Sequence, residues 1–263
     1  MVQAPFIHNY FSRHSSLKVN FIHDMIALSI ILKTFVKKGV ASLVQAIIFD
    51  FDGLILDTET HEYEVLQEMF AEHESELPLS VWGNVIGTQA GFKPFEYLEK
   101  QLGKTLDHEA LTADRRSRFQ KRMKDESARP GVEAYLQAAK ELGIKIGLAS
   151  SSDYKWVSDH LKQIGLFDYF ECIRTSDDVE EVKPHPELYL QTASCLGVEP
   201  KDCVAFEDSV NGSVAAKRAG MKCVIVPNKV TSTLQFEEYD VRLESMAEIE
   251  LLQLFHQLEK EDQ

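Results

Sequence analysis

The chain has 263 residues, 44% of them apolar, and a formal net charge of -14. That length and apolar content support one large or two modest domains with a true hydrophobic core, while the acidic balance argues against a nucleic-acid partner or an anionic membrane surface, both of which need basic patches. Cys172, Cys195, Cys203 and Cys223 form no Cys-x-x-Cys pair and no metal-ligand spacing, so buried reduced thiols and a cytoplasmic location are expected.

Residues 1–43 differ from the rest. They carry Arg13, Lys18, Lys33, Lys37 and Lys38 against Asp24 alone. The apolar run Met25 to Leu32 is much shorter than the roughly 20 residues of a membrane span, and no small-residue cleavage site follows it before the basic cluster. The segment is expected to lie outside the fold, as an extension or a start assigned too far upstream, with an uncleaved amphipathic anchor as the competing reading.

The next stretch, Ile47-Ile48-Phe49-Asp50-Phe51-Asp52-Gly53, is an apolar run that ends in two acids one residue apart. Strand periodicity places both carboxylates on one side, with Phe49 and Phe51 facing the core and Gly53 permitting a sharp exit. Glu59 to Glu76, Pro94 to Leu102 and Asp107 to Lys124 then show helical spacing with no strand pattern among them. Residues 58–129 are therefore expected to form an all-helical cap inserted after the first strand, with Ala128-Arg129-Pro130-Gly131 as the return hinge.

From Pro130 helix and strand alternate. Helices are expected at Val132 to Leu142, Tyr154 to Ile164, Glu187 to Leu196 and up to Ala219, each closed by a glycine. Strands are expected at Ile144 to Ala149, Phe170 to Arg174, Cys203 to Phe206 and Cys223 to Val226. Such alternation means a parallel sheet covered on both faces. The fold class is thus α/β, a Rossmann-like core of residues 44–57 and 130–263 with the helical cap inserted.

In such sheets the ligand site lies beyond the carboxyl ends of the strands. Asp50 and Asp52, Ser150, and Glu207 with Asp208 each follow a strand, and Lys183 comes from a loop on the same rim. Four clustered carboxylates need a cation, and oxygen ligands without histidine or thiolate point to Mg2+. Carboxylate, hydroxyl, lysine and Mg2+ are the parts that hold a phosphoryl group. One aspartate can attack phosphorus while its neighbour moves the proton. Taken singly the residues have plainer explanations: Ser150 as a helix N-cap, Lys183 as a solvated loop charge, Asp208-Ser209 as a helix start.

The run Asp50-Phe51-Asp52-Gly53-Leu54-Ile55-Leu56-Asp57-Thr58, followed in order by Ser150, Lys183-Pro184 and Glu207-Asp208-Ser209, resembles the haloacid dehalogenase-like hydrolase superfamily. Within it the chain is similar to the helical-cap branch of phosphatases and β-phosphoglucomutases. The resemblance implies Asp50 as nucleophile and Mg2+ ligand, and Asp52 as general acid and base with its backbone carbonyl on the metal. It further implies Ser150 on the phosphoryl oxygens, Lys183 neutralising charge, and Glu207 and Asp208 completing the metal site. The expected activity is hydrolysis of a small phosphorylated metabolite by a monomer. A phosphosugar mutase and a non-enzymatic phosphoacceptor module are the alternatives. The mutases carry a cap histidine where this chain has Glu62, one residue from His61, and a cap arginine where it has residues near Ala90. Both departures favour water as the acceptor.

Overall fold

In a computed structural model of the chain, residues 44–88 and 91–260 are described, and the expectations for residues 1–43 and for Ala90 fall outside them. The first strand, β1 (Ala46–Phe49), is buried along its whole length, as a continuous apolar run in the middle of a parallel sheet must be. It is flanked by β2 (Lys145–Ala149) and β4 (Cys203–Glu207) in a parallel sheet ordered β3-β2-β1-β4-β5-β6, with β3 at Cys172–Arg174, β5 at Lys222–Ile225 and β6 at Val241–Arg242. Phe49 pairs with Leu148 on one side and Phe206 on the other. The carboxyl ends of the three central strands therefore stop level, and the loops that leave them share one rim.

Four helices lie between β1 and the Ala128–Gly131 hinge: α1 (Thr58–Glu72), α2 (Leu79–Trp82), α3 (Pro94–Leu102) and α4 (His108–Met123). Tyr63, Leu66, Met69 and Phe70 of α1 meet Trp82, Phe95 and Leu98 in an apolar cluster that Val230 also joins. Asp57 caps α1 and Asp107 caps α4 through backbone N–H groups, which satisfies donors the first turn leaves open. α1 ends at Glu72 rather than Glu76, because Glu74 takes a positive φ of 54° and turns the chain.

The later helices are α5 (Val132–Leu142), α6 (Tyr154–Gln163), α7 (Glu187–Leu196), α8 (Val210–Arg218) and α9 (Leu251–Lys260). Ile48 and Ala205 pack under Leu188, Tyr189 and Ala193 of α7 and Ala215 and Ala216 of α8. On the other face Phe49 stacks on Phe206, with ring centroids 4.9 Å apart, and Tyr135 of α5 meets Phe206 edge-on. β3 begins at Cys172, two residues late, because a 3-10 turn occupies Phe167–Tyr169. β6 and α9 extend the fold beyond the alternation that ends at Val226. Among the described residues no helix is long and apolar enough to cross a membrane.

The expectation of four reduced thiols needs correction. Cys172 of β3 and Cys195 of α7 form a disulfide, with Cα atoms 6.3 Å apart, and Cys203 and Cys223 remain free and buried. Packing of α7 across β2 and β3 brings the pair together, a tertiary contact that cysteine spacing does not encode.

Candidate active site

Asp50 directly follows β1, and its N–H donates to the carbonyl of Phe206 at 3.0 Å. The ladder thereby continues one residue past the strand and sets Asp50 beside Glu207. Lys183 Nζ lies between them, donating to Asp50 Oδ1 at 2.5 Å and to Glu207 Oε1 at 2.6 Å. Tyr189 donates its hydroxyl to the same Glu207 oxygen at 2.5 Å, and Ser209 donates to Oε2 at 3.2 Å. Lys183 is only 1% exposed, which rules out the solvated loop charge. Burial opposes the charge on Lys183, but Asp50 and Glu207 outweigh it and hold its pKa above the usual lysine range. Burial raises the Asp50 carboxyl to about 7, with Glu207 adding to the rise and Lys183 opposing it.

Asp208 completes a group in which Asp50, Glu207 and Asp208 each bring an oxygen within 4.8 Å of the others. Its Oδ2 accepts from Asn228 Nδ2 at 2.8 Å, while Oδ1 is buried without a hydrogen-bond partner. Burial, then Asp50 and Glu207, push its carboxyl well above the usual range. Three buried carboxylates, only two of them paired with the Lys183 ammonium and one keeping an orphan oxygen, fit a hard divalent cation such as Mg2+, whose charge would reverse these shifts. Gly53 is required by this packing as well as by its φ of +79°: a Cβ there would stand 2.2 Å from Asp208 Oδ2.

Asp52 lies past the end of the strand and lines the same cavity as Asp50. β1 ends at Phe49, and the chain turns over Phe51 to Leu56, where Asp52 and Leu56 form an isolated bridge. The Asp52 carboxylate accepts from Thr58 Oγ1 and Trp156 Nε1 at Oδ1, each at 2.9 Å, and from Ser152 Oγ at Oδ2, at 2.5 Å. It stands outside the three-carboxylate group, although its charge still contributes to the rise at Asp50.

Ser150 is fully buried, and its Oγ accepts from the N–H of Ser152 at 3.0 Å. It does not cap α6; Asp153 does, accepting from Trp156 N at 2.7 Å. Asp50, Asp52 and Ser150 line a cavity of about 1050 Å3, whose other walls include Glu59 and Glu62 of α1, Trp82, Phe92, and Arg115 and Phe119 of α4. The loop after α2 closes one side: Ser151 donates to the carbonyl of Gly87 at 3.0 Å, and Asn211 donates to that of Ile86 at 2.8 Å. Glu62 faces Arg115 Nη1 at 3.1 Å. His61 pairs with Glu126 at 2.7 Å and is absent from the lining.

Sequence reasoning missed Asn228, Ser152, Trp156 and Tyr189. Asn228 stands just beyond β5, so the strand-end rule that selected Asp50 would have found it. Ser152 belongs to the Ser150-Ser151-Ser152 run. Nothing local marks Trp156, which meets Asp52 across 104 positions.

A family model described as haloacid dehalogenase-like hydrolase matches residues 47–226. A Bacillus subtilis (strain 168) protein named "Putative phosphatase YhcW" is 75% identical over 220 residues, 84% of this chain and 100% of that protein. Hexitol phosphatase B of Escherichia coli (strain K12) is 30% identical over 222 residues, covering 78% of this chain and 94% of its own. The crystal structure of CbbY from Rhodobacter sphaeroides in complex with phosphate is similar with a TM-score of 0.60 at 28% identity, over 78% of this chain and 96% of that one. The chain belongs to the haloacid dehalogenase-like hydrolase family.

Proposed function

We propose that the chain is a Mg2+-dependent phosphatase that hydrolyses a small phosphate monoester of a sugar or polyol through a phosphoaspartyl group on Asp50. The observation that carries this reading is the Asp50–Lys183–Glu207 arrangement beside the orphan oxygen of Asp208, opening on a cavity that Asp52 also lines. Held by Asp50, Glu207 and Asp208, with the Asp52 carbonyl as a further ligand, Mg2+ would supply charge neutralisation for the phosphoryl oxygens.

The chain's own groups divide the rest. Asp50 attacks phosphorus, and Lys183 keeps its carboxylate ionised and oriented. Ser150 donates to a phosphoryl oxygen. Asp52 gives a proton to the leaving oxygen and then takes one from the water that frees Asp50. Helices α1 to α4 act as a cap domain that shields this chemistry from bulk water.

A sugar or polyol suits the cavity, where Trp82, Phe92 and Phe119 offer apolar faces to C–H groups and Glu59 and Glu62 accept from hydroxyls. The hexitol phosphatase relative supports the same class. Water rather than a second phosphorylated substrate is the acceptor, because His61 is engaged by Glu126 away from the cavity. Phosphate release from p-nitrophenyl phosphate in Mg2+ tests the reading, with Asp50→Asn as control. The expected result is turnover by the wild type and none by the variant, and equal rates in the two would remove Asp50 from the mechanism.

A further inference from the structure

The Asp52 carboxylate is held by donors from three separate elements: Thr58 at the start of α1, Ser152 after β2, and Trp156 in the first turn of α6. They are not equivalent. A hydroxyl can donate or accept, whereas an indole N–H only donates. Trp156 Nε1, 2.9 Å from Oδ1, therefore fixes Oδ1 as the accepting oxygen and leaves Oδ2 as the one that exchanges a proton. The Ser152 hydroxyl on Oδ2 can turn to accommodate either state.

The indole is itself fixed. Its ring lies against His160, with centroids 3.9 Å apart, and the His160 Nδ1 meets the Trp156 carbonyl at 2.8 Å. The ring also meets Phe119 of α4, with centroids 5.9 Å apart. A residue of the α/β sheet side thus touches both the inserted helices and the proton-carrying aspartate, and it lines the cavity where the ester would lie.

We infer that Trp156 is a positioning residue for leaving-group protonation: its N–H holds Asp52 so that Oδ2 faces the departing oxygen. This rests on the phosphatase reading. In the step concerned, a carboxylate oxygen of Asp50 forms a bond to phosphorus and the ester P–O bond breaks. The bonding pair stays on the leaving oxygen, and that oxygen takes the proton from Asp52 Oδ2. Good leaving groups need this proton little and poor ones need it greatly, so the role has a signature that simple structural support lacks.

The test compares kcat/KM for p-nitrophenyl phosphate and benzyl phosphate, aryl-bearing esters with a good and a poor leaving group. This parameter covers the chemistry only up to phosphoryl transfer, before water attacks. Trp156→Phe keeps an aromatic ring but removes the donor. It is expected to lower kcat/KM for benzyl phosphate on the order of tenfold more than for p-nitrophenyl phosphate, a part of the 10²–10⁴-fold available from general acid catalysis. Trp156→His, whose Nε2 overlays the indole nitrogen, is expected to recover most of that selective loss. Equal losses on both esters, or no loss on either, overturn the positioning role while wild-type turnover leaves the phosphatase reading standing. A wild-type enzyme that hydrolyses neither ester overturns the reading and the inference with it.

Discussion

Gly212, in the first turn of α8, abuts Glu207 so closely that a methyl group in its place would stand 1.9 Å from the carboxylate. Gly212→Ala must therefore push Glu207 off Lys183 and Tyr189. Overpacking of this kind costs about 1–3 kcal/mol. We expect a folded variant with at least tenfold lower kcat and a raised Mg2+ requirement, read from activity against Mg2+ concentration. An unchanged Mg2+ dependence would speak against Glu207 as a metal ligand.

Lys183→Met would leave Asp50 and Glu207 facing each other without their shared cation. Breaking a buried ion pair by removing one partner costs about 3–5 kcal/mol. The expected outcome is a lower urea midpoint with an unchanged m-value, together with loss of turnover. A variant as stable as the wild type would show that the buried ammonium is compensated elsewhere.

The raised carboxyls fix the sign of the pH dependence. With Asp50 lifted from 3.8 to about 7 and Asp208 shifted the same way, the folded protein without metal binds more protons than the unfolded chain between those values. Its stability accordingly falls as pH rises through that window. Mg2+ needs the ionised carboxylates, so at pH 7 it should restore the loss, by about 2.7 kcal/mol when present at a hundred times its Kd. Thermal melts in EDTA and in Mg2+ at pH 5 and pH 7 check this, and a melting temperature insensitive to Mg2+ at pH 7 would count against the three-carboxylate site.

Arg129 joins the sheet by its guanidinium, donating to the carbonyls of Gly53 at 2.6 Å, Val226 at 2.9 Å and Pro227 at 2.8 Å. Charge-assisted bonds contribute about 1.5–3 kcal/mol each, and partial exposure reduces that here. Arg129→Met is expected to destabilise by about 2–4 kcal/mol in a denaturant titration and to loosen the turn that carries Asp52 and Gly53. A change below about 0.5 kcal/mol, the usual range for surface positions, would reject that anchoring role.

Much of this molecule was legible in its sequence because local chemistry and tertiary placement agree. α7 runs from Glu187 to Leu196 as expected, with Pro186 before it and Gly197 in the left-handed region after it. Asp50, Lys183 and Glu207 meet because strand ends in a parallel sheet share a rim. The Asp52 environment was not legible: Asp52 lies in the turn after β1, and Trp156 reaches it through the packing of α6. α9 is a different case. Leu251, Leu254, Phe255 and Leu258 have helical spacing and are buried, so this helix is encoded locally although it lies outside the helix–strand alternation. β6, two residues long, has no such pattern, and its pairing with β5 creates it.

The N–H of Arg129 donates to the carbonyl of Ile55 at 2.8 Å, so the segment carrying α1 to α4 begins and ends at points one hydrogen bond apart. A segment with adjoining ends behaves as a cassette. Changing the length of the helices within residues 58–129 is therefore expected to leave the central strands in register. Substrate choice would then be set by the inserted helices, while Asp50 and Glu207 stay where β1 and β4 hold them.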